Sequence, residues 1–373
     1  MLGKISLLSS ISLITNLTLT GKIMNRYSNH PVFVGVKHDL HSSLSFRNFR
    51  YLNNYSPLLK GNFNNLLFSN VVFEKSVKPL EIKREFEFYE EKIQESDAKI
   101  TLESCIFKEC INENQTHHGG ALEVRNSTVT INDTCFEYCQ SNYAGGVYFF
   151  NSTVTIQNSN FSHNCGLNAA GAGEFENCKL VIKGGISHGN YATDSKGCFY
   201  IISSKGVIDQ HHLILNHADG SCGGIYTQDC SLELKSMYFV HNHGIYGSGA
   251  LEIMFPQSNF IIDNCTFISN EIFEDSINIL IEGEGLIKIK NSVFDSPMNE
   301  VLEKGFGNIN ISSINNTINI DPKNPFRQFI KTEAEVEELS LRFDMFETLF
   351  FPIVLISILI LIPSAICILH FTK

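Results

Sequence analysis

The chain has 373 residues, 43% of them hydrophobic, with 29 Phe, no Trp and a formal net charge of −11. This composition excludes a disordered chain, and no basic block supplies the electrostatic footprint of nucleic-acid or anionic-lipid binding. Length alone predicts two or three domains, but a repeat architecture can absorb all of it in one elongated body.

In chain order, Met1 to Lys4 followed by Ile5 to Leu19 has the order of a signal peptide diluted by Ser and Thr, so residues 1–20 read as a signal peptide or as the first strand. Residues 30–78 are strand-like with Asn-rich turns and read as irregular first coils. Glu81 to Asp97 is densely charged and reads as an inserted loop or short helix.

From 100 to 310 the chain falls into rows that begin and end alike. Each opens on a short β-branched strand, as in Ile100–Leu102, Val129–Ile131, Val154–Ile156, Leu180–Ile182, Leu232–Leu234 and Phe260–Ile262. An apolar residue then precedes a small or polar one by three positions: Phe107 with Cys110, Phe136 with Cys139, Phe161 with Asn164, Leu213 with Asn216, Phe239 with Asn242, and Phe267 with Asn270. The row closes on a small-residue corner, Gly120, Gly146, Gly171, Gly197, Gly224 and Gly249, at steps of 26, 25, 26, 27 and 25 residues.

A unit this short, all β and punctuated by Gly and Asn, cannot bury its own apolar face and must stack on its copies. The predicted fold is therefore all-β, a right-handed parallel β-helix over residues 30–330, with one coil per row and a rise of about 4.8 Å. Phe, Ile and Leu columns fill its interior, glycine sits at sharp corners, and the turn asparagines Asn164, Asn216, Asn242 and Asn270 bond along the axis. Asn308 to Phe329 is expected to close the rod.

Residues 331–347 form an acidic stalk, and Leu349 to Leu369 carries no charge. At 1.5 Å per residue that run spans roughly 30 Å, as a transmembrane α-helix would, leaving 370–373 as a cytoplasmic tail and the rest outside the plasma membrane. A cleaved lipid-anchor signal and a buried terminal helix are the competing readings.

Ten of the 11 Cys lie between Cys105 and Cys265 without a CxxC pair, a pattern suited to an oxidising compartment. Stacking makes Cys110 with Cys139, and Cys105 with Cys135, candidate disulfides, whereas Cys198 reads as a buried apolar corner residue. Asn54, Asn114, Asn126, Asn132, Asn151, Asn160, Asn264, Asn310 and Asn315 head glycosylation sequons.

No catalytic, cofactor-binding or metal-binding residue is predicted. Asp133, Asp194, Asp209, Asp219, Asp229, Asp263 and Asp275 are scattered, whereas a β-helix glycan hydrolase or lyase needs clustered carboxylates. Glu123, Glu174 and Glu252 fall at similar row positions and read as outward strand residues. His117, His118, His211, His212, His217, His241 and His243 read as solvated turn residues, because their spacing supports no zinc geometry.

Gly119-Gly120-Ala121-Leu122 and Gly249-Ala250-Leu251, alternating with Phe161-Ser-His-Asn164, Phe239-Val-His-Asn242 and Phe267-Ile-Ser-Asn270, resemble the repeats of chlamydial polymorphic outer-membrane proteins and of similar trichomonad surface proteins. The resemblance covers roughly residues 100 to 280 and implies an adhesin-like surface passenger. The bacterial members end in an outer-membrane β-barrel, and this chain in one apolar segment, which favours the eukaryotic, single-pass version. The expectation is a non-catalytic membrane protein that meets a host-cell, matrix or glycan ligand, best sought over the sequon-poor stretch Thr193 to Asp263. A polysaccharide-cleaving enzyme and a structural coat protein are the alternatives.

Overall fold

The structure, a computed structural model, describes residues 16–20, 23–25, 33–35, 43–52, 58–61, 65–76, 80–83, 98–112, 118–193, 196–257, 259–272, 277–295, 297 and 302–318. The chain divides into two units, 1–320 and 321–373. The second lies outside the described residues, and with it the expected stalk, membrane helix and tail. No helix among the described residues is long and apolar enough to cross a membrane.

The described residues of the first unit form a parallel β-solenoid built from three sheets, of 22, 7 and 11 strands. Its first and largest sheet takes Ala98–Glu103, Ser127–Asn132, Thr153–Gln157, Lys179–Lys183, Lys205–Asp209, Ser231–Lys235, Phe260–Asp263 and Gly285–Lys290 in successive coils. The second sheet is a run of dipeptide strands from Ile111–Asn112 to Glu271–Ile272, and the third holds Leu122–Arg125, Val147–Phe150, Gly173–Glu176, Phe199–Ile202, Ile225–Gln228 and Leu251–Met254. All pairings are parallel and in register, so each residue lies over its copy in the coil below.

Register refines the sequence-derived corners. Leu122, Val147, Gly173, Phe199, Ile225 and Leu251 pair in turn, at steps of 25, 26, 26, 26 and 26 residues. Gly120, Gly171, Gly197 and Gly249 share one column, two positions earlier, with Gly145 and Gly223. Gly146 and Gly224 belong one position on, with Ala121, Ala172, Cys198 and Ala250, where Cys198 is fully buried as expected. The corners are narrow because backbones pass close: a Cβ on Gly224 would meet the Ala250 carbonyl oxygen at 2.1 Å. Gly224→Ala is expected to cost about 2 kcal/mol by local backbone displacement, read as a lower unfolding midpoint.

The interior follows from the alternation. Phe73, Phe107, Phe136 and Phe161 stack at 4.6, 4.9 and 4.9 Å, and Phe239, Phe267 and Phe294 at 4.8 and 5.0 Å. Each buried Phe contributes about 2–3 kcal/mol by leaving water. The column breaks at Ser187, which pairs with Phe161 below and Leu213 above. His211 and Phe199 turn inward to occupy that gap, their rings 5.6 Å apart. His211 is thus fully buried, not a solvated turn residue. Its ring nitrogens lie 2.8 Å from the Ser187 hydroxyl and 2.8 Å from the Gly184 carbonyl oxygen.

Asn16–Thr20 pairs with Ser43–Arg47 as a strand, one of the two readings of that segment, while 1–15 lies outside the described residues. Leu80–Lys83, the start of the charged segment, is a strand between Leu59–Gly61 and Leu122–Arg125, while 84–97 lies outside the described residues. Ile309–Ile314 and Thr317–Ile318 add a further coil on Gly285–Lys290 and Val293–Phe294, while 319–329, the rest of the expected closing segment, lies outside the described residues.

One outward column of the first sheet runs Lys183, Asp209, Lys235, Asp263, Lys290, alternating in sign coil by coil. Lys290 and Asp263 lie 3.0 Å apart.

Candidate functional site

Three of the turns place a residue in the left-handed region and follow it with a small buried polar one. Asn126, Asn151, Asn177, Ser203 and Asp229 have φ of 46 to 54° in the first, and Tyr138, His163, Leu215 and His241 of 52 to 54° in the third. A non-glycine residue there costs about 1–2 kcal/mol. The next residue offsets it by satisfying a carbonyl that the corner leaves unpaired.

In the third turn this next residue is asparagine. The Asn164, Asn190, Asn216 and Asn242 amides each donate at 2.9 Å to the carboxamide oxygen of the next, Asn270 receiving the last. Each also donates to a backbone carbonyl, those of Phe136, Phe161, Ser187 and Leu213, at 2.9 to 3.0 Å. The four asparagines identified from sequence are therefore brought together, with Asn190 and Asn278 added.

The cysteines do the same work. Cys110 and Cys139 stand below Asn164 in this column, their thiols donating to the carbonyls of Phe73 and Phe107 at 3.7 and 3.6 Å. Cys178 and Cys230 alternate with Ser204 in the first turn, donating to Phe149 and Ile201. Cys105 and Cys265 serve the second turn.

All ten described cysteines are free thiols. The expected Cys110–Cys139 bridge is replaced by two separate carbonyl contacts. The expected Cys105–Cys135 bridge fails on register, since Cys135 pairs with Ile106 and faces outward. Burial pushes Cys105, Cys178 and Cys230 up to about 11, and Cys165, Cys222 and Cys265 up to about 12. Native alkylation is expected to modify Cys135 ahead of the other nine, which should react only after denaturation, as followed by mass spectrometry.

The outer side of the third sheet carries the shared glutamates. Glu123, Tyr148, Glu174, Tyr200, Tyr226 and Glu252 form one column. They point away from the core yet are not solvated: Glu123 is 0%, Glu174 4% and Glu252 4% exposed. The chain ahead of each corner folds over them.

His118 stacks on Tyr143 at 4.5 Å, lies tilted against Tyr148 at 4.1 Å and meets Glu174 at 2.9 Å, and Arg125 donates to Glu123 at 3.0 Å. The Lys196 ammonium donates to the Tyr200 hydroxyl at 2.9 Å over its ring, and Ser221 donates to Glu252. Burial raises the Glu252 carboxyl to about 7, reinforced by Glu282 and opposed by Ser221 and Lys196. The outward position of these glutamates is legible in the sequence, but the roof is not, because it comes from residues with no apolar signature.

The outer face of the first sheet is open to solvent. Thr128 and Thr153, Thr130 and Thr155, Lys179 and Lys205, and Val181 and Val207 pair in register, partly or fully exposed. Among the sequons, Asn151, Asn160, Asn264, Asn310 and Asn315 are exposed and Asn126 and Asn132 half-buried, while Asn54 and Asn114 lie outside the described residues.

No protein-family model and no curated protein matches the chain. Among solved structures it is similar to the Streptococcus pneumoniae surface protein and adhesin PfbA, at 11% identity over 75% of this chain and 92% of that one. The TM-score is 0.19, too low to carry an argument.

On the second sheet, His217 and His243 occupy the same position in adjacent coils. Their rings lie within 5° of parallel with centroids 4.8 Å apart, and their Nδ1 atoms are separated by 3.1 Å. The His217 Nε2–H donates to Asp219 at 2.8 Å, and the Tyr191 hydroxyl donates to the same carboxylate. Among the described residues no group of three or more His, Cys, Asp and Glu side chains is arranged to hold a metal ion.

Proposed function

We propose that the solenoid is the extracellular, non-catalytic interaction domain of an adhesin-like cell-surface protein. In this reading segment 349–369 is a single transmembrane helix, residues 370–373 are cytoplasmic, and the exposed sequons carry glycans. The coil takes the right hand that parallel crossovers overwhelmingly adopt.

The observation that carries the reading is the outer face of the first sheet, where hydroxyls and ammonium groups repeat in straight columns. Such a face offers one polar contact per coil, each weak, to an extended partner whose own groups repeat, and many together bind tightly. A hydroxyl-rich or acidic glycan of the matrix or of another cell has that chemistry.

The test is binding of the full chain to a glycan array and to cells. Binding is expected to fall at least tenfold in Thr130→Glu/Thr155→Glu and in Lys179→Glu/Lys205→Glu, with unfolding midpoints unchanged. Equal binding by these variants overturns the assignment of the face, and binding to no glycan or cell favours a coat protein.

A glycan-cleaving enzyme is the second reading, with Glu123 and Glu174, two coils apart in one column, as its candidate carboxylates. Depolymerised glycan in the binding mixture, abolished by Glu174→Gln, would put that reading first.

A further inference from the structure

We propose that His217 and His243 form a two-imidazole site for one divalent late-transition-metal ion of the zinc or copper(II) class.

Side chains that are simple copies one coil apart keep like atoms about 4.8 Å apart. The two Nδ1 atoms are only 3.1 Å apart although the ring centroids keep 4.8 Å, so one ring is turned to bring the Nδ1 corners together. Metal–imidazole bonds of about 2.0–2.1 Å set two nitrogens about 2.9 Å apart at a right angle and about 3.4 Å apart at the tetrahedral angle. The observed bite falls between these values. With no ion bound, a single proton can sit between the two nitrogens.

Tautomer and rigidity favour the ion. Donation from His217 Nε2–H to Asp219 leaves the Nδ1 lone pair of His217 directed at its neighbour, and Tyr191 fixes the carboxylate. A carboxylate behind a ligating imidazole orients the ring and raises its basicity. Each histidine directly follows a member of the buried asparagine column, Asn216 or Asn242. Their backbone N–H groups bond Asn190 and Asn216 carbonyls at 2.9 and 2.8 Å, so the ligands are mounted directly beside the buried amide chain.

The site is also reachable. The His217 side chain is 30% exposed, and the exposed Glu271 holds the next register position beside His243, an anionic group in the same column. Water would complete the coordination. Imidazole pairs select zinc, copper or nickel over magnesium or calcium, which prefer oxygen. The signature in sequence is the Asn-His dipeptide at 216–217 repeated at 242–243.

The experiment titrates copper(II) and zinc separately into the purified full chain, following copper by electron paramagnetic resonance and zinc by calorimetry. Exposed thiols are alkylated beforehand. Expected are one ion per chain, coupling of copper to two nitrogens, and losses of at least tenfold in affinity for His217→Ala and for His243→Ala. Asp219→Asn should weaken binding about 10–100-fold. His163→Ala should change nothing, and circular dichroism checks that each variant folds. Undiminished binding in the double variant His217→Ala/His243→Ala overturns the proposal. So does a wild-type copper spectrum without two-nitrogen coupling, which needs no variant to fold.

Discussion

Asn216→Ala is expected to destabilise the solenoid by about 4 kcal/mol, read as a lowered denaturation midpoint and faster hydrogen exchange in the coils on either side. The side chain is fully buried and donates to the Ser187 carbonyl and to Asn242. Its oxygen accepts both the backbone N–H and the amide of Asn190 at 3.0 and 2.9 Å. Alanine leaves these groups buried without partners, and each unsatisfied buried polar group costs about 1–3 kcal/mol.

Asn164→Cys should cost much less, about 1–2 kcal/mol. It borders Cys139, so it extends the part of the column that thiols already cap. Equal losses at the two positions would show that continuity of the amide chain does not matter. In a solenoid the effect should stay with the nearest coils, so local exchange is the sharper measurement.

A matched pair of pH responses is the second large effect. His211 is buried neutral, and desolvation lowers it from 6.5 to about 4, with the Gly184 carbonyl opposing. The unfolded chain therefore binds more protons between about pH 6.5 and 4, and stability from this group is complete above 6.5 and lost on acidification. Glu252 has the opposite sign. Its carboxyl is raised from 4.5 to about 7, so its contribution is complete below 4.5 and lost as pH rises to about 7.

Each window corresponds to about 3 kcal/mol, and the two partly cancel in the wild type. His211→Phe should gain on the wild type as pH falls, and Glu252→Gln should lose on it over the same range. A scan of unfolding midpoints from pH 4 to 8 checks both, by slope and not by offset. Curves parallel to the wild type for either variant would refute that assignment. His212, His241 and His243, all lowered by burial, add to the acid lability of every variant alike.

The coil was legible in sequence because side chains alternate in and out along a strand and return every coil, which prints period onto apolar residues. Phe136, Phe161, Phe239 and Phe267 and four of the column asparagines were found that way. Asn190 escaped because its coil replaces the marker phenylalanine with Ser187, a change intelligible only once His211 is seen in the vacated space.

Cysteine was misread for a related reason. Period shows that Cys110 and Cys139 stack, but not that each thiol faces a different carbonyl. The roof over Glu123, Glu174 and Glu252 was invisible, since it depends on where His118, Lys196 and Ser221 fold back and not on any pattern in the strands. The facing imidazoles of His217 and His243 likewise depend on a ring rotation that no spacing encodes.

The column Lys183, Asp209, Lys235, Asp263, Lys290 gives the rod a parity. Excising the single coil that bears Asp209 would set Lys183 against Lys235, like on like. Excising two would set it against Asp263 and restore attraction. Shortened chains lacking an even number of these coils should therefore retain more stability per coil than chains lacking an odd number, by about 0.5 kcal/mol at low salt, vanishing in concentrated salt. Growth or loss of this molecule by internal duplication would then be easiest two coils at a time.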